Sequence, residues 1–421
     1  MFAALLLLIL LPLSYAQTDL DHYVKRFKIN PINIPAKNKP LYDLGFKLFY
    51  DKDLSGNNNV SCQSCHSLTG YSADSLPLGL GEGAEGIALD RIQKNGLVLN
   101  RNTPAVYNLS LPDVRALFWD GRVSRDFDGN WIAPEPLEPK VAKTLSSLLA
   151  VQSIFPLVNP EEMLGKGSKL SAKEGWDFVL NKIFEGRFKA TYKKMFAEAF
   201  PGEKEFNIGH VGNAMAELMR HHFPGHNTLW DLYLRGRKEV LSERMKRGAV
   251  LFHTKANCTF CHNGNHFTNW DFQNIGTPQI GADDKGRFNV TKNYGDLYKF
   301  RVAPLRNVGL TGPYMHSGAY KTLWEVLEHY EDPVSSLRNF RWDGKFKNYR
   351  DPLNLDTDSV NNDTRERNLS RLLPRMLKLT PDEKADLVCF LGVALTDVSL
   401  QMDLIKKGIA NEITDCSPRP Y

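Results

Sequence analysis

Two copies of a Cys-x-x-Cys-His motif carry the clearest chemistry of this 421-residue chain. They are Cys62-Gln-Ser-Cys65-His66 and Cys258-Thr-Phe-Cys261-His262. Paired thiols at this spacing add to the two vinyl groups of one haem, and the histidine that follows is placed to bind the haem iron. Zinc knuckles or thioredoxin-like dithiols need only the cysteines. The motifs therefore predict two covalently bound haem c groups, with His66 and His262 as iron ligands.

The first sixteen residues have the composition of a cleavable export signal. A run of leucine and isoleucine is followed by the small residues Ser14 and Ala16, as at a signal-peptidase site. The run is about half of the roughly 20 residues that a membrane-spanning helix needs, which favours a signal at 1–16 over a membrane anchor. No later stretch is apolar enough to span a bilayer. We expect an exported protein, periplasmic or associated with the cell surface.

Length and helical periodicity predict a mainly α protein with two cytochrome c-type haem domains packed against each other. Apolar residues recur with helical spacing at 211–219, 241–252 and 323–330. A helix start with an N-cap, a proline and a glutamate three residues after the cap occupies 380–383. The domain boundary is expected near 224–225.

The predicted N-terminal domain therefore covers 17–225, and the predicted C-terminal domain covers 226–421. The formal net charge is +5, and the roughly four propionates of two haems would lower it to about +1. This charge gives no indication of a nucleic-acid partner.

Two cysteines lie outside the haem motifs. In an oxidising compartment Cys389 and Cys416 are candidates for a disulfide, and the other possibility is a buried thiol at Cys389 with a free thiol at Cys416. Three histidines, His221, His222 and His226, lie close together in the sequence. We assign them no ligand role.

Six further segments occur in an order that resembles the bacterial di-haem cytochrome c peroxidase family, and within it the branch of the MauG and MbnH enzymes. They are residues 54–56, 101–104, 118–122, 159–163, 304–307 and 313–318. The resemblance covers roughly residues 38–396. It implies that His66 binds the iron of the haem where hydrogen peroxide reacts, and that His262 binds the iron of a haem that stores and relays electrons.

The same resemblance assigns the proton chemistry of the peroxide site. Cleavage of the peroxide bond requires a group that moves a proton between the two oxygens. Family members place this carboxylate at the position of Glu162 and a glutamine ten residues earlier, at Gln152. The residues themselves also fit a simple helix start, with Asn159 as the cap and glutamates near the positive end of the helix.

Many family members carry a histidine in the loop after the first haem motif that blocks the iron until the enzyme is reduced. Here no histidine occurs between His66 and His210. The loop at 80–86 therefore has no such ligand, and we predict a five-coordinate iron that reacts with peroxide without prior reduction.

The second haem departs from the conventional family pattern. Tyr330 occupies the position of the usual methionine ligand. A phenolate oxygen is a hard anionic donor that favours oxidised iron, whereas a thioether raises the reduction potential. The MauG and MbnH enzymes share this departure. Met315, Met376 and His329 are the other candidate ligands.

Two more assignments follow from the resemblance. Trp119 corresponds to the tryptophan between the two haems, although beside Phe118 it also suits an ordinary aromatic core pair. The side chain of Asn102 and the carbonyls of Thr311 and Pro313 correspond to a calcium site between the domains. Asn102 also suits a turn.

Three functions are compatible with these features. The first is a peroxide-dependent oxidase that forms high-valent haem iron and oxidises a tryptophan or tyrosine of a protein partner. The second is a conventional peroxidase supplied with electrons by a small cytochrome or cupredoxin. The third is a non-catalytic electron-transfer cytochrome. The residues favour them in that order, with Trp270 and Trp324 as candidate exits for the oxidising equivalent.

Overall fold

The computed structural model describes residues 20–373 and 377–400. Helices of the first half are α1 (20–26), α2 (Lys39–Tyr50), α3 (Cys62–Cys65), α4 (Pro139–Thr144), α5 (Leu148–Ser153), α6 (Ala172–Glu185), α7 (Lys189–Ala199) and α8 (Ile208–His222). Helices of the second half are α9 (Leu229–Leu234), α10 (Glu243–His253), α11 (Phe288–Thr291), α12 (Leu323–Glu331), α13 (Pro333–Asn339), α14 (Ser359–Arg367) and α15 (Pro381–Cys389). The predicted mainly α fold is confirmed.

Short strands occur in two small antiparallel sheets. The first contains β1 (Ala116–Leu117), β2 (Val123–Arg125) and β3 (Trp131–Ile132) in that order. The second pairs β4 (Phe272–Gln273) with β5 (Phe300–Arg301), with Phe272 opposite Arg301. Two π-helical turns cover Pro160–Leu164 and Phe390–Ala394. No helix in the described residues is long and apolar enough to cross a membrane.

Each half of the chain surrounds its own hydrophobic core. The first core includes residues of α2, α5, α6, α7 and α8, and the second includes residues of α9, α10, α12 and α15. A third, smaller cluster joins Leu78 and Leu80, from the loop after the first haem motif, to Ile280 and Tyr349. Two haem domains packed against each other are therefore confirmed.

The N-terminal segment crosses between the two cores. Leu20 and Ile29 are buried in the second core, whereas Ile32 is buried in the first. The boundary near 225 remains a prediction.

Three predictions concern residues outside the described part of the chain. They are the signal at 1–16, the candidate ligand Met376 and the candidate disulfide partner Cys416. Cys389 is buried in the second core.

Glycines allow the main helices of both cores to cross closely. A Cβ atom at Gly45 of α2 would collide with the carbonyl oxygen of Ala214 in α8. A Cβ atom at Gly248 of α10 would likewise collide with the carbonyl oxygen of Asp386 in α15. Each crossing therefore requires a residue without a side chain.

Helix starts follow their sequence signals, with one exception. The side chains of Thr380 and Glu383 form the expected capping box at the start of α15. Asn159 also acts as a cap, because its Oδ1 accepts from the Glu161 amide at 2.9 Å. However, its carbonyl accepts from the amide of Leu164, five residues on, at 2.9 Å. The expected helix start is therefore a π-helical turn, a feature frequent at functional sites.

We expect the buried ion pair of Asp231 and Arg306, which joins two segments of the second half of the chain, to contribute strongly to the stability of the fold. Both side chains are buried, and the guanidinium binds the carboxylate through two hydrogen bonds of 2.5 and 3.0 Å. Asp231 also accepts from the Ile32 amide at 3.1 Å. Asp231→Asn leaves the buried guanidinium without its counter-charge, which should lower the free energy of unfolding by about 3–5 kcal/mol.

Denaturant unfolding of the holo-protein measures this change. Glu205→Gln is the matched control, because Glu205 pairs with Lys140 on the exposed surface and exposed pairs contribute little. Equal midpoints for wild type and Asp231→Asn would show that the buried pair does not stabilise the fold.

Candidate haem sites and active site

The first haem motif opens onto a cavity of about 510 Å³. Cys62 and Cys65 begin and end α3, and both line this cavity together with His66. The Nδ1 atom of His66 donates to the carbonyl oxygen of Ser72 at 2.8 Å. This bond fixes the proton on Nδ1, so that the lone pair of Nε2 is available for an iron atom. Burial lowers the pKa of His66, which keeps the ring neutral.

The second motif repeats this arrangement. Cys258, Cys261 and His262 line a cavity of about 250 Å³. The Nδ1 atom of His262 donates to the carbonyl oxygen of Phe267 at 3.0 Å, and burial again lowers the pKa of the ring. Both motifs therefore place a neutral histidine, with the Nε2 lone pair available to a metal ion, next to two cysteine side chains that are not in a disulfide. This donor set is the one that covalent haem binding requires.

A buried cation in the second cavity also fits a haem. Arg301, in β5, is buried and lines this cavity. Its Nε donates to the carbonyl oxygen of Phe118 at 3.0 Å, and burial alone lowers its pKa to about 10. No carboxylate of the described residues neutralises this charge, and a haem propionate would do so. Arg301 is not among the residues predicted from the sequence, because no sequence pattern indicates that an arginine in a short strand is buried.

Glu162 lies in the first cavity, on the π-helical turn that Asn159 begins. The Nδ2 atom of Asn159 donates to Glu162 Oε1 at 2.9 Å and thereby orients the carboxylate. Burial raises the pKa of Glu162, while the nearby charge of Arg122 and the Asn159 amide partly offset this effect. Asn159 therefore serves both as the cap and as the group that positions the carboxylate.

Gln152 lines the same cavity as Glu162. It lies in α5 and is buried, and its Oε1 has no hydrogen-bond partner among the described residues. A buried amide oxygen without a partner is costly unless a ligand or water satisfies it. Hydrogen peroxide carries O–H donors that suit this oxygen. The structure therefore brings Gln152, Glu162 and His66 to one cavity.

The loop after the first haem motif is held in place by charged side chains. Glu82 accepts from the side-chain amides of Asn57 and Asn59 at 2.9 and 2.6 Å. Arg91 donates to the carbonyls of Leu80 and Gly81 at 3.0 and 2.9 Å. Among the described residues that line the first cavity, His66 is the only histidine.

Tyr330 lies in the second cavity with His262, near the end of α12. Burial and the nearby cysteines raise its pKa, so that the phenol is protonated in the absence of a metal ion. His329 has no free nitrogen, because Nδ1 contacts the Tyr320 hydroxyl at 2.8 Å and Nε2 contacts the Ile275 carbonyl at 2.8 Å. Met315 also lines this cavity.

Trp119 is shared by the two cavities, since it lines both of them. Its indole nitrogen donates to the carbonyl oxygen of Asn102 at 2.8 Å, and its own carbonyl accepts from the Arg301 amide at 2.8 Å. These bonds fix the ring at the boundary between the haem sites. Trp270 is buried against His266, whereas the indole nitrogen of Trp324 donates to Glu328 near the surface.

The expected calcium ligands lie close to the same boundary. Asn102, Thr311 and Pro313 all line the second cavity. The Nδ2 atom of Asn102 donates to the Leu76 carbonyl at 2.7 Å, which leaves Oδ1 as the oxygen for an ion. The described residues contain no cluster of three or more acidic, histidine or cysteine side chains suited to a metal ion.

Two cavities with one c-type haem motif each describe a two-haem cytochrome, and comparisons with known proteins define its family. The family described as di-haem cytochrome c peroxidase matches residues 39–239. Cytochrome c551 peroxidase of Pseudomonas aeruginosa is 31% identical over 348 residues, which cover 80% of this chain and 84% of the relative. Methylamine utilization protein MauG of Methylorubrum extorquens is 29% identical over 320 residues, which cover 75% and 76%.

A solved structure of a MauG-like protein associated with microbial copper homeostasis superimposes with a TM-score of 0.61 at 25% identity. The superposition covers 93% of this chain and 97% of that protein. The chain belongs to the di-haem cytochrome c peroxidase family. It is therefore a haem c enzyme that acts on peroxide, and a purely electron-carrying role is set aside.

Proposed function

We propose that this peroxidase belongs to the MauG-like branch and uses hydrogen peroxide to oxidise a tryptophan or tyrosine of a protein partner. The observation that carries the proposal is the position of Tyr330 in the cavity of His262. His329, the adjacent candidate, has both ring nitrogens engaged. A tyrosine ligand stabilises oxidised iron, which suits long-lived oxidising equivalents better than rapid reduction by a small cytochrome.

Haem, when bound, supplies the redox chemistry of peroxide cleavage. The protein supplies proton transfer at Glu162, whose carboxylate accepts a proton from the bound peroxide and returns it to the departing oxygen. Asn159 holds that carboxylate at 2.9 Å, and Gln152 offers an acceptor for the second peroxide proton. The bond from His66 Nδ1 to the Ser72 carbonyl leaves Nε2 of His66 available to bind the haem iron.

Trp119 is proposed to conduct charge between the two haem sites. Its contact with both cavities and its fixed orientation support this role. An indole is readily oxidised compared with an aliphatic side chain, so this ring can carry charge from the first site to the second. The two sites then share the oxidising equivalents until the partner is oxidised.

Two further assignments belong to this proposal. Export, with the signal at 1–16 removed, would place the protein in the periplasm or at the cell surface, where haem c attachment takes place. A calcium ion bound by Asn102, Thr311 and Pro313 would stabilise the boundary at which Trp119 lies, and their common cavity supports this assignment.

The conventional peroxidase is the second candidate function. The relation to cytochrome c551 peroxidase supports it, because that relative covers most of the chain. The two functions differ in the reductant. We expect the oxidised holo-protein, mixed with peroxide and a tryptophan-containing peptide, to add oxygen to the peptide in intact-mass measurements. Oxidation of a reduced small cytochrome or cupredoxin with no change of the peptide would support the conventional function instead.

Glu162→Gln should reduce kcat/KM for peroxide by about 10²-fold or more, because the amide cannot accept the peroxide proton. Stopped-flow absorbance of the haem measures this rate. The neighbouring Glu161→Gln is the matched control, since Glu161 lies on the exposed side of the same turn. Similar losses in both variants would contradict the proton-transfer role.

The same rate should depend on pH through Glu162. Only the carboxylate form accepts a proton, so kcat/KM falls as the pH drops through the pKa of Glu162. Because burial raises this pKa, the acidic limb should lie above the ordinary glutamate value of about 4.3. In Glu162→Gln this fall of kcat/KM at low pH should be absent. If the fall were unchanged in that variant, it would belong to the titration of another group.

Tyr330→Met should raise the reduction potential of the second haem, because a thioether replaces an anionic oxygen donor. Spectroelectrochemical titration of the holo-protein resolves the two potentials. Met315→Leu is the matched control in the same cavity and should leave both potentials unchanged. A shift in Met315→Leu with none in Tyr330→Met would transfer the ligand role to Met315.

A further inference from the structure

An aromatic cluster lies where α2 and α8 cross, beside the first haem cavity. Tyr42, Phe46, Phe49 and Tyr50 recur at helical spacing along one face of α2. His222, the last residue of α8, contacts three of these rings, with centroid distances of 5.9 Å to Phe46, 6.3 Å to Phe49 and 5.9 Å to Tyr50. The close crossing at Gly45 brings the two helices to this contact.

Two hydroxyl groups face the imidazole of His222. The Tyr50 hydroxyl lies 2.8 Å from Nε2, and the Tyr42 hydroxyl lies 3.4 Å from Nδ1. A tautomer with its proton on Nδ1 accepts from Tyr50 at Nε2 and directs Nδ1–H to Tyr42. Tyr50 therefore has a proton acceptor at hydrogen-bonding distance. A phenol with such an acceptor loses an electron more readily, because its proton can leave together with the electron. The strongly acidic phenol radical cation then does not have to form.

The cluster is connected to both haem sites. Phe49 lines the first cavity together with His66, and its ring centroid is 5.4 Å from that of Tyr50. On the other side, His222 contacts Phe223 at 5.0 Å, and Phe223 contacts Tyr107 at 6.4 Å. Tyr107 lines the second cavity. One phenylalanine ring thus separates Tyr50 from the first haem site.

The outer side of the cluster reaches solvent. Tyr50 and Phe46 line a surface groove between α2 and α7. Phe46 is 44% exposed and stacks on Tyr50 with a centroid distance of 4.5 Å. An electron that enters at this groove therefore meets Tyr50 before any group that lines a haem cavity.

We propose that Tyr50 and His222 form a redox-active pair through which electrons from the protein surface reach the first haem site. The inference rests on the proposed function. It assigns a route by which the oxidising equivalent leaves the haem sites, in place of the candidates Trp270 and Trp324. Tyr50 gives one electron to the peroxide-oxidised site, its O–H bond breaks, and the proton forms an N–H bond at Nε2 of His222.

The phenol is then restored by an electron from an external donor and by the same proton, returned from His222. Under the proposed function, this donor is the aromatic side chain of the protein partner, which releases its own proton to solvent. Two such cycles supply the two electrons that the reduction of one peroxide to two water molecules consumes. The two protons for the water come from solvent.

Tyr42 is the matched comparison, because it faces the other nitrogen of the same ring. Its hydroxyl is 0.6 Å farther from His222 than that of Tyr50. The ammonium group of Lys37 lies 4.0 Å from the centre of the Tyr42 ring. This positive charge opposes the loss of an electron from that ring. The pair with the lower barrier to oxidation is therefore Tyr50 and His222.

The test uses the oxidised holo-protein, mixed with one equivalent of hydrogen peroxide without a donor and frozen at short times for EPR. We expect a radical signal that narrows when the protein carries ring-deuterated tyrosine. The signal should be lost in Tyr50→Phe and kept in Tyr42→Phe. His222→Gln, which removes the proton acceptor, should slow its formation by about 10²-fold. Haem absorbance is recorded in parallel for each variant.

Haem absorbance shows whether a negative result concerns Tyr50 alone or the proposed function as a whole. A haem response to peroxide in Tyr50→Phe, with the same tyrosine radical as wild type, would overturn the role of Tyr50 and leave the proposed function intact. Absence of any haem response in wild type would overturn the proposed function and the inference with it.

Discussion

The hydrogen bond from each haem-motif histidine to a following backbone carbonyl is the interaction on which the rest of the structure depends. His66 donates to Ser72, and His262 donates to Phe267. Each bond fixes the tautomer and leaves Nε2 available in the cavity, so that the two cysteines and the histidine of one motif would hold the same haem. In each core, a glycine lets two of the main helices cross closely.

The two sites share this arrangement but differ in the other residues that line their cavities. The first cavity presents a carboxylate whose pKa burial raises and an amide oxygen without a partner, which are groups for handling protons. The second presents the Tyr330 phenol and the buried guanidinium of Arg301, which under the proposed function would hold an oxidised iron and a propionate. Trp119 belongs to both cavities. Under the proposed function, proton transfer and charge storage therefore take place in different cavities that share the Trp119 ring.

Local patterns in the sequence were sufficient for some of this arrangement. The haem motifs, the helix start at Thr380 and the mainly α fold follow from spacing and capping rules. Long-range contacts were not accessible in this way. The engagement of both His329 nitrogens depends on Tyr320 and on the Ile275 carbonyl, which no spacing predicts. The pair of Tyr50 and His222 likewise joins residues that are 172 positions apart in the chain.

Under the proposed function, one haem would keep an open face for peroxide and the other would be closed by Tyr330. Low-temperature EPR of the resting, fully oxidised holo-protein tests this arrangement directly. We expect one high-spin signal and one low-spin signal, and only the low-spin signal should change in Tyr330→Phe. Two low-spin signals that are both unchanged in that variant would contradict it, because neither an open iron nor a tyrosine ligand would then be present.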